Sequence, residues 1–333
     1  MPRLELERDD VRITPTRGLG FACETVSPKR DGEAMKSTEV GSVLLLHGLN
    51  SHATNPNARA MAVALAKRGM RVISFDLPGH GACESDGDAR GVYAGKEAAL
   101  ARARSALAAT ATERFTIVGS SMGGALAIFC ANAMRGEEGR AVERVVLINP
   151  LMKMKMALPR VALAALRLAS YAAPRLEVSP KPRDKLDVDE DQRPDFDDEA
   201  QAQCDADALS WDKGVSLRTA VELYDLVAHN AGNRPEDCGM VRLSFETPVL
   251  LITGGRDNVI SPDTAIDRAK LAVQAGGKAE HVQFALAGHS LTLQSRREEV
   301  FDLVANWRWK SVSYTHLRAH ETLRYLVCRL LLE

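Results

Sequence analysis

The sequence has no long apolar run, no excess of charge and no paired cysteines. No stretch reaches the ~18 apolar residues of a transmembrane helix, and the first ten residues are charged and lack the apolar core of a secretory signal. Lysine and arginine number 43 against 44 aspartates and glutamates, for a net charge of -1. This balance gives no electrostatic case for nucleic acid or an anionic membrane surface as a partner. We therefore expect neither a nucleic-acid partner nor an integral membrane segment.

The six cysteines are scattered, and no two form a C-x-x-C pair. This spacing predicts neither a disulfide framework nor a zinc site, and it favours the reducing cytoplasm as the compartment. The acidic run at 184–199 lacks the glycine and terminal glutamate spacing of a calcium-binding loop. It is interpreted as a solvated segment rather than a metal site.

Short apolar segments alternate with helical patterns through the first half of the chain. The runs at 43–47, 71–76, 115–119 and 145–149 are typical of buried strands, and a hairpin is expected within 11–26. Such alternation predicts an α/β fold, a mostly parallel twisted sheet with helices on both faces. A length of 333 residues fits two domains or one large domain with an insertion.

The alternation stops after residue 149 and resumes near residue 247. We predict a core built from residues 1–149 and 247–310, interrupted by an inserted, largely helical cap at 150–246. The cap opens with an apolar stretch that contains three methionines, at 152, 154 and 156. These flexible side chains suit either the wall of an apolar pocket or ordinary packing, and packing is the favoured interpretation.

The last residues, 311–333 (SVSYTHLRAHETLRYLVCRLLLE), resemble the translation of an adapter used in transposase-based DNA sequencing libraries. The beginning of the segment matches one end of the adapter and the final residues match its outer end. The alternative interpretation is an amphipathic helix with leucines and arginines on opposite faces. We exclude the segment from fold reasoning and expect the native chain to diverge near Lys310.

The segment 119–123 (GSSMG) matches the pattern Gly-x-Ser-x-Gly between a predicted strand and a predicted helix. In that sharp turn the nucleophile takes a strained conformation and its neighbours must be small, as Gly119 and Gly123 are. The helix N-terminus beneath the serine favours developing negative charge. The pattern predicts Ser121 as a nucleophile; Ser120 lies outside the motif frame and is the weaker candidate.

A serine hydroxyl needs a base, and the base needs an acid that orients it. In this strand–turn–helix architecture the acid and then the base follow the serine, on loops after later strands. Asp257 and His289 each come directly after a predicted strand, where the carboxyl ends of parallel strands place ligand-binding groups. Asp263 is interpreted as a carboxylate in the first turn of a helix, and His47 as a residue that structures its loop.

An acyl-transfer site also needs two backbone N–H donors for the oxyanion. Met122, which follows the nucleophile, is the first predicted donor. Leu49, in the loop after the first parallel strand, is the second, and Gly48 permits the turn of that loop.

Together these pieces resemble the α/β-hydrolase superfamily. Within it they are similar to the monoacylglycerol lipase and lysophospholipase branch, also described as serine aminopeptidase-like hydrolases. The matching pieces, which span roughly 41–310, are residues 47–49 (HGL), 76–81 (DLPGHG), the serine turn, the Asp257 and His289 loops, and 214–223 (GVSLRTAVEL) in the cap. The family usually places a serine directly after the second piece, whereas here ACE intervenes before Ser85.

The resemblance implies the α/β-hydrolase fold and a serine hydrolase of carboxylic esters, with Ser121, His289 and Asp257 as the triad. Its expected partner is a small-molecule ester or lipid, either monoacylglycerol, lysophospholipid-like or a medium-chain acyl ester, and no cofactor or metal is implied. The same triad serves thioesterases, acyltransferases and aminopeptidases, and the sequence does not separate them. A non-catalytic ligand-binding protein is a further alternative, which the intact triad disfavours.

Overall fold

A computed structural model of the chain describes residues 10–29, 41–82, 89–182, 189–190, 193–232 and 234–309. The adapter-like segment at 311–333 lies outside these residues. Within the part of the chain that the structure describes, no helix is both long and apolar enough to cross a membrane.

The centre of the fold is a sheet of eight strands. The strands of the described residues are β1 (Val11–Pro15), β2 (Cys23–Pro28), β3 (Ser42–Leu46), β4 (Arg71–Phe75), β5 (Arg114–Ser120), β6 (Ala141–Ile148), β7 (Glu177–Ser179), β8 (Val215–Ser216), β9 (Val249–Gly254) and β10 (Ala279–Phe284). Their order across the large sheet is β1-β2-β4-β3-β5-β6-β9-β10, while β7 and β8 pair only with each other. The β1–β2 and β2–β4 pairs are antiparallel and the remaining pairs of the large sheet are parallel. This confirms the predicted α/β architecture, including the hairpin at its start.

Helices flank the sheet and bridge its strands. Those of the described residues are α1 (Pro56–Lys67), α2 (Lys96–Ala109), α3 (Met122–Met134), α4 (Arg160–Ala172), α5 (Asp198–Asp205), α6 (Leu217–Asn230), α7 (Gly239–Ser244), α8 (Asp263–Gln274) and α9 (Arg297–Asn306). Asn55 caps α1 by accepting from the Asn57 N–H at 3.0 Å, with Pro56 in the first turn. This arrangement satisfies a donor that the helix itself leaves unpaired.

Each face of the sheet carries its own apolar core. On β3, Leu44 and Leu46 point into the core shared with α2 and α3. Val43 and Leu45 point into the opposite core, shared with α1 and α9. Side chains alternate across a strand, so a strand covered on both faces must be apolar at successive positions. The uninterrupted apolar run in β3 is therefore a consequence of its place at the centre of the sheet.

The chain leaves the sheet after β6 and returns at β9, where the predicted cap interrupts the core. Helix α4 packs on α6, and α5 contacts α1, whereas α6 and α7 pack on α3. Leu226, Met240 and Leu243 from α6 and α7 are fully buried in the core beside α3. The last third of the predicted cap thus joins the core layer, and residues 151–216 are called the outer cap below.

Candidate active site

Ser121 occupies the turn between β5 and α3. Its φ is +56°, a left-handed conformation that residues other than glycine rarely adopt. The Ser121 N–H donates to the Ile148 carbonyl at 2.9 Å, and the Ser121 carbonyl accepts from the Leu151 N–H at 3.0 Å. These bonds to the end of β6 and the chain beyond it hold the strained residue in place. Ser120, the weaker sequence candidate, is the last residue of β5.

Two glycines permit this turn because backbone segments approach them closely. A Cβ atom on Gly119 would lie 2.1 Å from the Gly123 carbonyl oxygen. A Cβ atom on Gly123 would lie 2.2 Å from the carbonyl oxygen of Leu46 in β3. No side chain fits at these separations. The spacing of the Gly-x-Ser-x-Gly pattern is therefore a packing requirement of the strand–turn–helix unit.

His289 and Asp257 are brought together by the parallel pairing of β9 with β10. His289 Nδ1 lies 2.7 Å from Asp257 Oδ2, and the two side chains are 12% and 1% exposed. The other carboxylate oxygen, Oδ1, accepts from the N–H groups of Val259 and Ile260, both at 2.9 Å. A carboxylate only accepts hydrogen bonds, so Nδ1 donates to Asp257, and in the neutral tautomer of this ring Nε2 is the basic nitrogen.

Asn149, at the end of β6, was not singled out by the sequence analysis. Its Nδ2 donates to the carbonyl oxygens of Gly288 at 3.0 Å and His289 at 2.7 Å. Its Oδ1 accepts from the Gly254 N–H at 2.8 Å. Asn149 is 2% exposed and has a φ of +41°, so a buried and strained residue bridges the two loops that carry His289 and Asp257. One feature of the sequence points to Asn149: it is a single polar residue at the end of an apolar strand.

Both predicted oxyanion donors line the same cavity as Ser121. Met122 is the first residue of α3, where N–H groups have no acceptor within the helix. Gly48 brings the loop after β3 close to Ser121, since a Cβ atom on Gly48 would lie 3.4 Å from the Ser121 Cβ. The loop that carries Leu49 therefore runs beside Ser121.

His47 fixes the conformation of that loop. Its Nδ1–H donates to the Gly48 carbonyl at 2.8 Å, and its Nε2 accepts from the Leu77 N–H at 3.0 Å. Burial away from water, together with the neighbouring His80, holds the pKa of His47 well below its usual value. Both ring nitrogens are engaged by the backbone, which agrees with a loop-structuring role.

A cavity of about 950 Å³ opens above these groups. Ser121, His289, Leu49 and Met122 line it, while Asp257 lies behind His289. Apolar side chains of the cap and α6 complete much of the wall: Leu151, Met154, Val215, Ala220 and Leu223. Charged groups on the wall are Lys153, Lys155, Lys181 and Asp205. The cavity is thus mainly apolar and carries more cations than anions.

The three methionines that open the cap have three different surroundings. Met152 is buried in the core, Met154 lines the cavity, and Met156 is 63% exposed. The packing interpretation is therefore correct for Met152, while Met154 both packs against the core and lines the cavity.

A polar tie, defined as His52, Asn55, Asp207, Ser210 and Trp211, joins the outer cap to the loop after β3. The Asp207 carboxylate accepts from His52 Nε2, from Asn55 Nδ2 at 3.2 Å and from the Ser210 hydroxyl at 3.1 Å. Trp211 adds a backbone bond, its N–H donating to the Asn50 carbonyl at 3.0 Å. Burial raises the pKa of Asp207, but the hydrogen bond and charge of His52, together with hydrogen bonds from the Leu209 N–H and the Ser210 hydroxyl, hold that pKa below its usual value. No sequence pattern predicts this tie, because His52 and Asp207 lie 155 residues apart in the chain.

The part of the chain that the structure describes contains no candidate metal site. No group of three or more histidine, cysteine, aspartate and glutamate side chains among those residues is arranged to hold a metal ion.

Solved structures with the same fold include lipases and esterases. A monoacylglycerol lipase from Paleococcus ferrophilus has a TM-score of 0.60 and 21% identity, covering 80% of this chain and 93% of that one. A soluble variant of monoglyceride lipase from Saccharomyces cerevisiae, in complex with a substrate analog, has a TM-score of 0.64 and 18% identity, covering 92% and 96%. A thermostable carboxyl esterase from Bacillus coagulans has a TM-score of 0.61 and 14% identity, covering 89% and 96%.

Sequence comparison is informative at the level of the family. A search of curated proteins found no match to the chain. The hydrolase family described as serine aminopeptidase, S33 matches residues 37–292, which include the serine turn, both loops of the His–Asp pair and the cap. With more than half of its length matched, and with the parallel sheet and serine turn of the fold in place, the chain belongs to the S33 serine aminopeptidase family of α/β-hydrolases.

Proposed function

We propose that the protein is a serine hydrolase that cleaves carboxylic esters with apolar acyl chains, such as monoacylglycerols, lysophospholipids or medium-chain esters. The observation that carries the proposal is the His289–Asp257 pair, with Nδ1 2.7 Å from Oδ2, because His289 lines the same cavity as the strained Ser121. The predicted reducing cytoplasm remains the proposed compartment.

In the proposed reaction, His289 Nε2 takes the proton from the Ser121 hydroxyl as its Oγ attacks the ester carbonyl. The backbone N–H groups of Leu49 and Met122 stabilise the oxyanion, and each such donor typically contributes about 3 kcal/mol. His289 then protonates the leaving alcohol, and a water deprotonated by the same imidazole hydrolyses the acyl-enzyme. Asp257 keeps Nδ1 protonated and stabilises the imidazolium.

The apolar wall of the cavity favours a substrate with an apolar acyl group. A pocket lined mainly by apolar side chains, with a few polar groups at the reacting centre, is typical of small-molecule sites. Each methylene buried there contributes about 0.8 kcal/mol, so longer acyl chains gain affinity until they fill the cavity.

The charges on the wall disfavour an aminopeptidase. A peptide substrate of that class carries a protonated amino terminus, which needs a fixed anion beside the scissile bond. The cavity instead presents Lys153, Lys155 and Lys181 against Asp205 as its acidic residue. Thioester hydrolysis and acyl transfer use the same catalytic groups, and no feature of the site favours either over ester hydrolysis.

Active-site labelling followed by a substrate panel tests the proposal. A fluorophosphonate probe should label the wild-type chain on Ser121, located by peptide mass spectrometry, and Asp257→Asn should label far more slowly. Rates should then rise from acetyl to octanoyl 4-nitrophenyl esters, and 1-monooctanoylglycerol should be cleaved, while alanine 4-nitroanilide is not. Absence of labelling favours a ligand-binding protein, and fastest turnover of the anilide favours an aminopeptidase.

A further inference from the structure

The acidic run that the sequence analysis interpreted as solvated ends in a segment that packs on the core. We call residues 193–197 of this run the acidic strap. Pro194 is buried, and Asp195, Phe196 and Asp197 are half-buried. The solvated interpretation is therefore wrong for the acidic strap.

Two backbone hydrogen bonds join the acidic strap to the loop that carries His289. The Asp195 N–H donates to the Leu286 carbonyl at 3.0 Å, and the Asp197 N–H donates to the Leu293 carbonyl at 2.9 Å. Leu286 precedes His289 in the chain and Leu293 follows it. The strap therefore spans this loop from one end to the other.

Side-chain bonds fasten the acidic strap to the start of α9. The Arg297 guanidinium donates to the Asp197 carboxylate at 2.8 Å, and the Ser295 hydroxyl donates to the Asp195 carboxylate. Phe196 lies between the two aspartates. Because both of its neighbours are bonded through backbone and side chain, the backbone of Phe196 is held firmly against the loop of the proposed base.

The side chain of Phe196 lines the active-site cavity. Among the described residues it is the one phenylalanine, tyrosine or tryptophan on the cavity wall. Its ring is half-buried and makes no contact with another ring or with a cation in the described part of the chain. An aromatic face held in this way is available to a ligand, and a second aromatic ring packs on it favourably.

The cavity wall on the His289 side is mainly apolar. Val259, Ile260 and Leu293 line the cavity together with Phe196. The backbone N–H groups of Val259 and Ile260 bind the carboxylate that holds His289, so these residues lie next to the proposed base. Apolar groups of this kind favour an apolar part of the substrate.

Two hydroxyl groups of the wall already donate to other side chains. The Thr292 hydroxyl donates to Asn57, and the Ser261 hydroxyl donates to Asp263 at 2.8 Å. Both residues line the cavity beside the loops of the proposed acid and base. Their protons are therefore not available to a hydroxyl-rich alcohol such as glycerol.

The proposed mechanism places the alcohol portion of the ester on this side. His289 protonates the departing alcohol, so the alcohol oxygen has to lie beside that imidazole. Ala220 and Leu223 reach the cavity from α6 and offer a separate apolar wall to the acyl chain. Phe196 therefore borders the alcohol rather than the acyl chain.

We propose that Phe196 determines the specificity for the alcohol portion of the ester, and that the favoured substrates are esters of alcohols that carry an aromatic ring. The ring of the alcohol packs on Phe196, and the acidic strap keeps it beside His289. The assignment of this ring to the leaving alcohol rests on the proposed ester hydrolysis. Binding of an aromatic ring beside Phe196 does not depend on it.

The first test compares kcat/KM for butanoyl esters of four alcohols. Benzyl and cyclohexylmethyl butanoate differ little in apolar area, but only the first has an aromatic ring. The wild type should prefer the benzyl ester by about fivefold over the cyclohexylmethyl ester and by more than about tenfold over the methyl ester. It should also cleave the benzyl ester faster than glycerol monobutanoate. Phe196→Leu should remove the preference for the aromatic ring, and Phe196→Tyr should retain it.

Loosening the acidic strap should have the same effect without changing the ring. Arg297→Gln releases the Asp197 carboxylate and should lower the ratio of benzyl to cyclohexylmethyl turnover at least about twofold. Arg68→Gln is the matched control, because Arg68 also bonds to α9, through Glu298 at 2.8 Å and Asp302 at 2.7 Å, at the side away from the strap residues. It should keep the wild-type ratio. An unchanged ratio in Arg297→Gln would overturn the role of the strap.

Saturation-transfer NMR with benzyl butanoate and Ser121→Ala measures binding without turnover. The benzyl protons should receive saturation from the protein, and Ser121→Ala with Phe196→Leu should reduce that transfer several-fold. The proposal is overturned if the wild type has no preference for the benzyl ester or if Phe196→Leu keeps that preference. If the wild type cleaves none of the four esters, the proposed function fails. A reduced transfer with Phe196→Leu then still supports an aromatic site at Phe196, and an unchanged transfer overturns it.

Discussion

The side chain of Asn149 holds the backbone of His289, its Nδ2 donating to the His289 carbonyl oxygen at 2.7 Å across 140 residues of chain. The same amide group contacts Gly288 and, through Oδ1, the Gly254 N–H at the end of β9. Asn149 is not among the residues that line the cavity, and the hydrogen bonds of its side chain go to the backbone of the two loops. We therefore interpret it as a positioning residue, which acts through the loops of the proposed base and acid.

Asn149→Asp replaces a donor of two hydrogen bonds with an oxygen that faces two carbonyl oxygens. Each buried group left unpaired costs about 1–3 kcal/mol, so the unfolding free energy should fall by a few kcal/mol. Since the His289 loop is displaced, kcat should fall more than tenfold while KM changes little. Steady-state kinetics with a 4-nitrophenyl ester and urea unfolding measure the two effects.

Asn132→Asp is the matched control for that variant. Asn132 Nδ2 also donates to two carbonyl oxygens, those of Ile128 and Gly239, both at 2.9 Å. The control should lose stability but keep its kcat under conditions where it is folded. Equal losses of kcat in the two variants would mean that Asn149 has only a structural role.

Removal of the Ser121 side chain should separate catalysis from backbone strain. Ser121→Ala and Ser121→Gly should both lose at least about a thousandfold in ester turnover, while Ser120→Ala keeps most of it. Relief of the left-handed backbone is worth roughly 1 kcal/mol, so the glycine variant should melt about 2–4 °C above the alanine variant. A glycine variant that melts at or below the alanine variant would contradict the strain at φ +56°.

Filling the cavity from α6 should change the preference for acyl length. Ala220 lines the cavity, so Ala220→Phe should lower kcat/KM for octanoyl esters about tenfold, since one or two methylenes lose their site. Acetyl esters should be hardly affected. Ala228→Phe, at an exposed position of the same helix, is the control and should leave both rates unchanged. A parallel loss for acetyl and octanoyl esters would show that Ala220 does not border the acyl group.

Acid should destabilise the protein through its buried imidazoles. Burial lowers the pKa of His80 to about 4 and holds the pKa of His47 well below its usual value. Below a pH of about 6.5 the unfolded chain takes up protons that these residues do not accept when folded. Stability should therefore fall as pH falls from about 6.5 to 4, with up to ~1.4 kcal/mol per pH unit for each residue. Urea unfolding at several pH values measures this dependence, and the unfolding free energy of His80→Asn should fall less steeply with pH than that of the wild type. An equally steep fall would show that His80 does not contribute to the acid destabilisation.

The sequence predicted those parts of the molecule that local patterns determine. Apolar runs predicted β3, β4, β5 and β6, because a strand covered on both faces must be apolar. The Gly-x-Ser-x-Gly spacing predicted the turn, because only glycine fits at position 119 beside Gly123 and at position 123 beside Leu46. Asp257 and His289 were predicted as partners because each directly follows a strand, and in the structure His289 Nδ1 lies 2.7 Å from Asp257 Oδ2.

What escaped prediction depends on contacts between distant segments. Asn149 is one polar residue whose partners lie more than 100 residues away, and the His52–Asp207 contact spans 155 residues. The exposed apolar residues of α4, Val161 and Leu168, escaped prediction for another reason. Helical periodicity shows that apolar residues are present on a helix, but it does not show which side the rest of the chain covers.

The polar tie restricts how caps can be exchanged between proteins of this architecture. His52 and Asn55 belong to the core, while Asp207 and Trp211 belong to the outer cap. The loop after β3, which holds His52 and Asn55, also carries Leu49. A chimera that receives a foreign outer cap without an equivalent of Asp207 would bury His52, 1% exposed, without its anionic partner. Transplantation of a new substrate pocket onto this core therefore has to move residues 50–55 and the cap as one unit.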